Sequence, residues 1–495
     1  EVMLEHKIEW DSYHIEQPER LRTIVETLNN EGLLDKATIL PSRRATEDEI
    51  AVIHKKEYIN KLKDACSKSL EEMEEYCRHE DDVYINGKTY DAALMAAGCA
   101  IDGTIAAFNN KSSSFIPIRP PGHHAFKDRP CGFCFFNNVA IAAKHARGAG
   151  AQRVLIVDWD VHAGQGTQEC IEGDDNIRLI SIHRFQDGTF WPNLEQSAVS
   201  HKFENTMNVP LNSIGENDSS YIAIFHLLVL PTIIDFCPDL IIVSCGFDAA
   251  IGDPEGEMAV TPYGFGRMTE LLVKTGIPLS VILEGGYFLP SIAKDGEYVV
   301  RALQGESFPI LPSEPLSRTL RETFHRIFSS SNSPTLRSFD YLLTQANVYD
   351  KEALASHEYK GKLEVKEVFP TRGVYHHHIR SAENHQKFVD QLESAMDKYK
   401  NEGKMGKRVA IIIDGDSDFD MVEDKDGSVT IETPPSLHGM VQATIASYIN
   451  PSFPPSINET PMPQNEYGEL NKLYDKLIQL STNPSFSHIP LIQLL

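Results

Sequence analysis

The side chains best equipped for chemistry stand in short motifs: "RPPGHHAF" with adjacent His123 and His124, "VLIVDWDVH" with Asp158, Asp160 and His162, "SCGFDAAIGDPEG" with Asp248, and "LEGGY" with Tyr287. Asp160, His162 and Asp248 together offer two carboxylates and one imidazole. That nitrogen and oxygen donor set leaves room for water, as a catalytic zinc requires. Asp160 and His162 are two apart, so on a strand both side chains leave the same face. A plainer reading has Asp158 and Asp160 capping a helix and His162 satisfied in a loop, and this segment alone leaves both readings open. The paired prolines and Gly122 predict a rigid turn that presents His123 and His124 together. Adjacent histidines can carry different protonation states when different partners hold them. The chain contains its own control in "YHHHIR" (375–380), where three histidines have no glycine turn and no aromatic wall; we read it as non-catalytic. In "LEGGY" two glycines after a strand free the backbone to project Tyr287.

Such groups need elements that aim them. The apolar runs 153–160, 177–183, 240–248 and 278–287 read as strands, and 92–108 and 136–150 as helices. Continuous Val/Ile/Leu runs separated by helices predict an α/β fold with a parallel sheet buried on both faces. Each strand ends in a candidate group: Asp160 with His162, His183, Asp248, and Glu284 through Tyr287. Ligands of open α/β sheets sit beyond the carboxyl ends of the strands, so these motifs are expected to converge on one edge. "YIAIFHLLVLPTIIDF" (221–236), interrupted by His226, Pro231 and Asp235, reads as a buried helix and not a membrane span. After residue 305 the texture becomes Pro/Ser-rich. We expect a domain over 1–310, a linker over 311–340, and a smaller C-terminal α/β domain over 341–495. That last block would hold a helix at 381–403 and a strand at 408–414.

The chain has 495 residues, with 46 Lys plus Arg against 71 Asp plus Glu, a net charge of −25. Such a surface repels nucleic acid phosphates. A cationic substrate suits the field better, and any contact with chromatin is expected through a basic protein tail or an adaptor. The eight cysteines are scattered between Cys66 and Cys245, unlike a secreted disulfide framework. Cys131 and Cys134 form a CxxC pair among aromatic neighbours and read as packed thiols. With no secretory apolar stretch at the start, a soluble intracellular protein is expected.

Taken together, "RPPGHHA", "GFCFFNNVAIAA", "DWDVH…GQGTQ", "ISIHRF…GTFWP", "CGFDAAIGDPEG" and "LEGGY" resemble the zinc-dependent histone deacetylases of class II, nearest to class IIb. The resemblance covers residues 5 to about 305, in order and spacing. It implies an arginase/deacetylase-like three-layer fold and hydrolysis of an acetamide to an amine and acetate. Carried over, Asp160, His162 and Asp248 bind Zn²⁺. His124 serves as general base and then general acid, and His123 pairs with Asp158. Gln165 partners His124, and Tyr287 donates its hydroxyl to the developing oxyanion. Phe133 and Trp191 would line a narrow acyl-lysine channel with Gly132. Asp158, Asp160, His162 and Ser181 match the family's monovalent cation site, usually potassium. Implied substrates are acetylated proteins such as histone tails or cytoplasmic proteins, with co-repressor or homo-oligomer partners and a place in the nucleus, the cytoplasm or both.

Three departures bear on this. Ala163 stands where the family usually has a second histidine, and Gln165 where it often has Asn or Asp. Glu255 in "GDPEGE" matches the acetylpolyamine deacetylases, whereas protein-lysine deacetylases tend to have Leu. Against that, the loop "WDSYHIEQPERL" (10–21) lacks the short helical insert of the polyamine branch. The expected substrate is therefore protein acetyl-lysine, with acetylpolyamine as the alternative. A catalytically weak scaffold is a rival on the strength of Ala163, opposed by intact His123, His124 and Tyr287. A manganese ureohydrolase on the same fold would need more carboxylate ligands than "DWDVHAG" supplies. In the C-terminal block "RVAIIIDGDSD" faintly echoes "RVLIVDWDVH", with Asp418 in place of the ligand histidine. A degenerate second copy and a binding or dimerisation domain both stay open.

Overall fold

A computed structural model describes residues 1–308 apart from Ser12 and 200–203, residues 316–333 and Leu336, and the backbone of short strands farther on. The chain divides into two compact units, Glu1–Thr323 and Phe324–Leu495.

The first unit is built on a six-stranded sheet: β1 (Ser113–Ile116), β2 (Val154–Asp158), β3 (Ile177–Arg184), β4 (Thr206–Leu211), β5 (Leu240–Cys245) and β6 (Leu279–Leu283). Every pairing is parallel, in the order β1-β6-β5-β2-β3-β4. Strands β2, β5 and β6 are buried at every residue, which explains their unbroken apolar sequence. Val154, Ile156, Leu240, Ile242 and Ile282 join one core with the helices Lys56–Ala65, Thr89–Asn110 and Asn138–Gly148. The alternating residues Leu155, Val157, Ile241 and Val243 are equally buried on the other face. On that side Trp159 packs on Phe225 and Phe265, and Phe247 on Phe265. Helix, sheet, helix is thus the layering. The run 221–236 lies in the helical stretch Asp218–Phe236, which has one π-helical turn at Phe225–Val229 and is mostly buried.

Two strands escaped the sequence reading, β1 and β4. β1 reads only "SSFI", and β4 carries Pro210, tolerated because β4 is an edge strand. The expected strands also run too long. β2 stops at Asp158 and β5 at Cys245, so Asp160, His162 and Asp248 lie in the loops that follow. Strand alternation is therefore not what aligns Asp160 with His162. Side-chain turns do it: Asp158 Oδ1 accepts from the Asp160 amide at 3.1 Å, and Asp160 Oδ1 from the His162 amide at 2.9 Å.

The stretch expected as linker contains a helix, Arg318–Ser330, whose Thr323 hydroxyl donates to Pro210 O at 2.9 Å. Its Pro/Ser-rich flanks hid an amphipathic 13-residue segment. In the second unit Val409–Asp414 pairs in parallel with Arg372–His378, which pairs antiparallel with Glu364–Phe369. The expected helix at 381–403 and Asp418 lie outside the described residues.

One buried ionic hub fixes the loop after β6. Glu16 receives Arg20 at 2.9 Å, Arg119 at 2.9 and 2.7 Å, and the Tyr84 hydroxyl at 2.6 Å, with all four side chains essentially fully buried. Arg20 continues into the site, donating to Gly286 O and Glu284 O at 2.5 Å each. Burial alone would raise the Glu16 pKa, but Arg119 and Arg20 outweigh it and hold it well below the carboxylate range. A depressed carboxylate pKa adds stability above its unfolded value of about 4.5, and that stability is lost as pH falls through the folded value. Glu16→Gln is expected to cost about 3–5 kcal/mol, because it leaves buried guanidinium charge uncompensated. Denaturant unfolding at pH 7 checks this. The difference between variant and parent should shrink as the medium is acidified below pH about 4.5; a loss under about 1 kcal/mol at pH 7 would count against the hub.

Candidate active site

β2 sits between β3 and β5, where the strand order reverses direction. Loops leaving the carboxyl ends of β2, β5 and β6 meet there, as expected of a switch point. Asp158 is the last residue of β2, 159–164 form the following loop, Asp248 follows β5, and 284–287 follow β6.

Asp160, His162 and Asp248 are all buried, and their donor atoms lie within 4.8 Å of one another. His162 Nδ1 stands 3.2 Å from Asp160 Oδ1 and 3.3 Å from Asp248 Oδ2. Asp248 Oδ1 accepts from the Val161 amide at 2.7 Å, while among the described residues the buried Oδ2 has no hydrogen-bond partner. Asp160 Oδ2 accepts from the Gly285 amide at 2.9 Å. Burial disfavours charge on His162, yet Asp160 and Asp248 hold its pKa well above the imidazole range. Burial, then Asp160, pushes Asp248 upward. Two buried carboxylates with an orphaned oxygen therefore call for positive charge between them. The donor set suits Zn²⁺, with a position left for water. His123, His124 and Asp160 make a second group of similar closeness.

The rings of the histidine pair lie 3.8 Å apart between centroids, tilted by 40°, and their partners split the pair. His123 Nδ1 is 3.0 Å from Asp158 Oδ2, and its Nε2 is 3.6 Å from Asp160 Oδ1. Burial opposes its protonation, but Asp160 and Asp158 prevail and keep the pKa high. His124 is pushed well below the imidazole range by burial and by the neighbouring His123 and His162. Its Nδ1 donates to Gln165 Oε1 at 2.8 Å, which leaves Nε2 with a lone pair. One ring is thus a standing cation and the other a neutral base, the division that acid–base chemistry needs. Glu284 Oε2 secures the turn itself, accepting from the Gly122 and His123 amides at 2.6 and 3.1 Å.

The aromatic residues form the walls. Trp191 meets His124 edge-on at 4.7 Å, Phe190 stacks on His162 at 5.3 Å, and Phe133 meets Tyr287 at 5.9 Å. Gly132 has φ +51, and a Cβ there would come within 2.5 Å of Trp191 and 2.7 Å of His124. The Tyr287 ring lies 4.9 Å from the Arg20 guanidinium. Burial keeps its hydroxyl protonated despite Arg20. Ser181 is the β3 partner of Asp158, and its Oγ accepts from Gly164 N at 3.2 Å. Glu255 is half-buried, held by its amide on Asp253 Oδ1 at 3.0 Å and by its carbonyl on Arg184 at 3.3 Å. Its charge is felt by Asp82, whose carbonyl binds the Phe133 amide. Ala163 is buried and carries no donor atom to the group. Cys131 and Cys134 are buried free thiols. Arg20, Glu284, Asp253 and Phe190 were not assigned roles from sequence. Phe190 beside Trp191 carried a signal, and Glu284 stood in the singled-out "LEGGY" without a role; Arg20 and Asp253 act on the backbone of a distant loop, and nothing local marks that.

Two glycines let the loops close. A Cβ at Gly285 would sit 2.1 Å from Asp248 Oδ2 and 2.6 Å from Asp160 Oδ2, and one at Gly246 would sit 2.2 Å from Asp160 Oδ2. Gly285→Ala is expected to lower zinc affinity by roughly 10- to 100-fold, read by competition with a chelator on protein of unchanged circular dichroism. Undiminished affinity would mean the donors lie elsewhere.

The histone deacetylase domain family matches residues 14–303. The chain is 39% identical over 319 residues to polyamine deacetylase HDAC10 of Danio rerio, covering 62% of this chain and 47% of that protein. Histone deacetylase 15 of Arabidopsis thaliana is 40% identical over 300 residues, 59% of this chain and 53% of its own length. Among solved structures, that of the HDA15 HD domain aligns with a TM-score of 0.63 at 33% identity, covering 70% of this chain and 96% of that one. The chain spans about half the length of the curated relatives it matches. With the parallel sheet, the converging loops and a donor set that suits the family's zinc, the chain belongs to the histone deacetylase family, class II.

Proposed function

We propose that this chain is a zinc-dependent deacetylase that hydrolyses the acetamide of acetylated lysine side chains in proteins. The observation that carries this reading is the buried Asp160–His162–Asp248 group, with its orphaned Asp248 oxygen, beside a histidine pair whose partners, Asp158 for His123 and Gln165 for His124, differ in charge. Asp160, His162 and Asp248 would hold Zn²⁺, which would supply Lewis acidity to the acetyl carbonyl and to the attacking water. His124, with its proton held on Nδ1 by Gln165, takes a proton at Nε2 from the water that attacks the acetyl carbon. The same nitrogen then gives that proton to the leaving amine, so amide and water become amine and acetate. His123, kept cationic by Asp160 and Asp158, holds His124 neutral until that transfer. Tyr287 donates its hydroxyl to the developing oxyanion. Gly132, Phe133 and Trp191 line the channel and exclude water. Potassium at Asp158, Asp160, His162 and Ser181 would stiffen the end of β2; the register of Asp158 on Ser181 supports it. Histone tails or cytoplasmic proteins are the substrates that suit a chain of net charge −25, in the nucleus, the cytoplasm or both. Co-repressor or homo-oligomer partners belong to the same reading.

Acetylpolyamine is the second reading, favoured by Glu255. Its carboxylate is felt by Asp82, and a carboxylate at the channel mouth attracts a distal ammonium. Relatives named polyamine deacetylases support it as well. The loop 10–21 opposes it, because it runs without an insert into the helix Pro18–Asn30.

Zinc-loaded full chain given an acetyl-lysine peptide and acetylspermidine side by side decides between them. Turnover of the peptide should fall roughly 100- to 1,000-fold in Tyr287→Phe; turnover that survives would sink the mechanism. A preference for acetylspermidine that Glu255→Leu abolishes would install the polyamine reading. Hydrolysis of neither substrate would favour a scaffold.

A further inference from the structure

The reach of Tyr287 depends on how its backbone is held, and one peptide unit carries that task. The bond joining Gly286 to Tyr287 presents its carbonyl to Arg20 Nε at 2.5 Å and its N–H to Asp253 Oδ2 at 2.6 Å. Both ends of one peptide plane are therefore pinned from opposite sides, by side chains distant in sequence. Gly286 has φ +108, a conformation that a free loop would exchange for many others. Asp253 Oδ2 also accepts from the Phe288 amide at 3.1 Å. The carboxylate is fixed in turn, because its Oδ1 accepts from the Glu255 amide at 3.0 Å and its own amide donates to Ala250 O at 3.1 Å. The loop carrying it is closed by Ile251 N on Val260 O at 2.9 Å and Val260 N on Ala249 O at 3.2 Å. Asp253 is buried and touches neither the metal ligands' donor atoms nor the channel walls in any hydrogen bond found among the described residues.

We propose that Asp253 is the positioning residue for Tyr287, holding the peptide before it so that the phenol hydroxyl meets the oxyanion and not the bulk of the channel. This rests on the deacetylase reading above. Asp253 reaches the reacting atoms only through Tyr287, and its other hold is on the Glu255 backbone and not its carboxylate, so its removal lowers the rate of the chemical step more than it changes binding of the acetyl-lysine peptide.

Five proteins test it: the parent, Asp253→Ala, Asp253→Asn, Tyr287→Phe, and the Ala substitution made on the Phe background. On the acetyl-lysine peptide, Asp253→Ala should lower kcat roughly 10- to 100-fold while KM changes less than about threefold. Asp253→Asn should recover part of that rate, since its carbonyl oxygen can still accept from the Tyr287 and Phe288 amides while its NH2 loses the bond from the Glu255 amide. On the Phe background the Ala substitution should change kcat by less than about twofold, because two lesions of one unit do not multiply. A kcat in Asp253→Ala equal to the parent's, or losses that multiply on the Phe background, would overturn the proposal. Should the Ala variant fail to fold, amide exchange on the intact parent decides instead. Slow exchange at Tyr287 and Phe288 supports the clamp, and exchange at the rate of a free loop refutes it. A parent that hydrolyses neither substrate undoes the deacetylase reading, whereas an active parent with an insensitive Asp253 undoes the clamp alone.

Discussion

Everything at this site answers to the burial of Asp160 and Asp248 side by side. Two carboxylates withdrawn from water repel each other and lose hydration worth several kcal/mol each. The described side chains around them offer only histidine imidazoles in return. Among the described residues no hydrogen bond reaches Asp248 Oδ2. A site so composed favours a compact cation between the acids, and the fold is arranged to keep that position. Gly246 and Gly285 give up their side chains so that the loops can approach, and the parallel sheet supplies the rigid edge from which both loops start.

The same charge organises the chemistry next door. Asp160 and Asp158 draw a proton onto His123, and that cation, with burial, strips the proton from His124. Acid and base roles therefore follow from where carboxylates stand, not from any difference between two identical side chains. Carboxylates farther out serve as backbone clamps. Glu284 holds the histidine turn, Asp253 the Tyr287 peptide, and Glu16 anchors Arg20, which braces the Tyr287 loop from the other side. The negative composition of the chain is thus partly internal architecture.

The layout of the sheet was legible because β2, β5 and β6 are buried on both faces and so read as unbroken apolar runs. Edge strands β1 and β4 were not, since partial exposure and Pro210 dilute that signal. The residues at the strand ends could be found because His, Asp and Tyr in glycine-flanked motifs stand out from their surroundings. Their local geometry could not: Asp160 and His162 are aligned by Asp side-chain turns in a loop, which strand periodicity does not describe. Arg20, Glu16 and Asp253 were illegible for a different reason. Each works on a loop far away in the chain, and only the folded topology brings donor to acceptor.

The claim on which the rest turns is that Asp160, His162 and Asp248 hold the zinc. X-ray absorption at the zinc edge, measured on full-length chain loaded with one equivalent of metal, reads the ligand atoms directly. A shell of nitrogen and oxygen neighbours alone, collapsing when His162 is replaced by Ala, is the predicted result. Sulfur in the shell, which would point to Cys131 and Cys134, or a spectrum indifferent to His162, would contradict it.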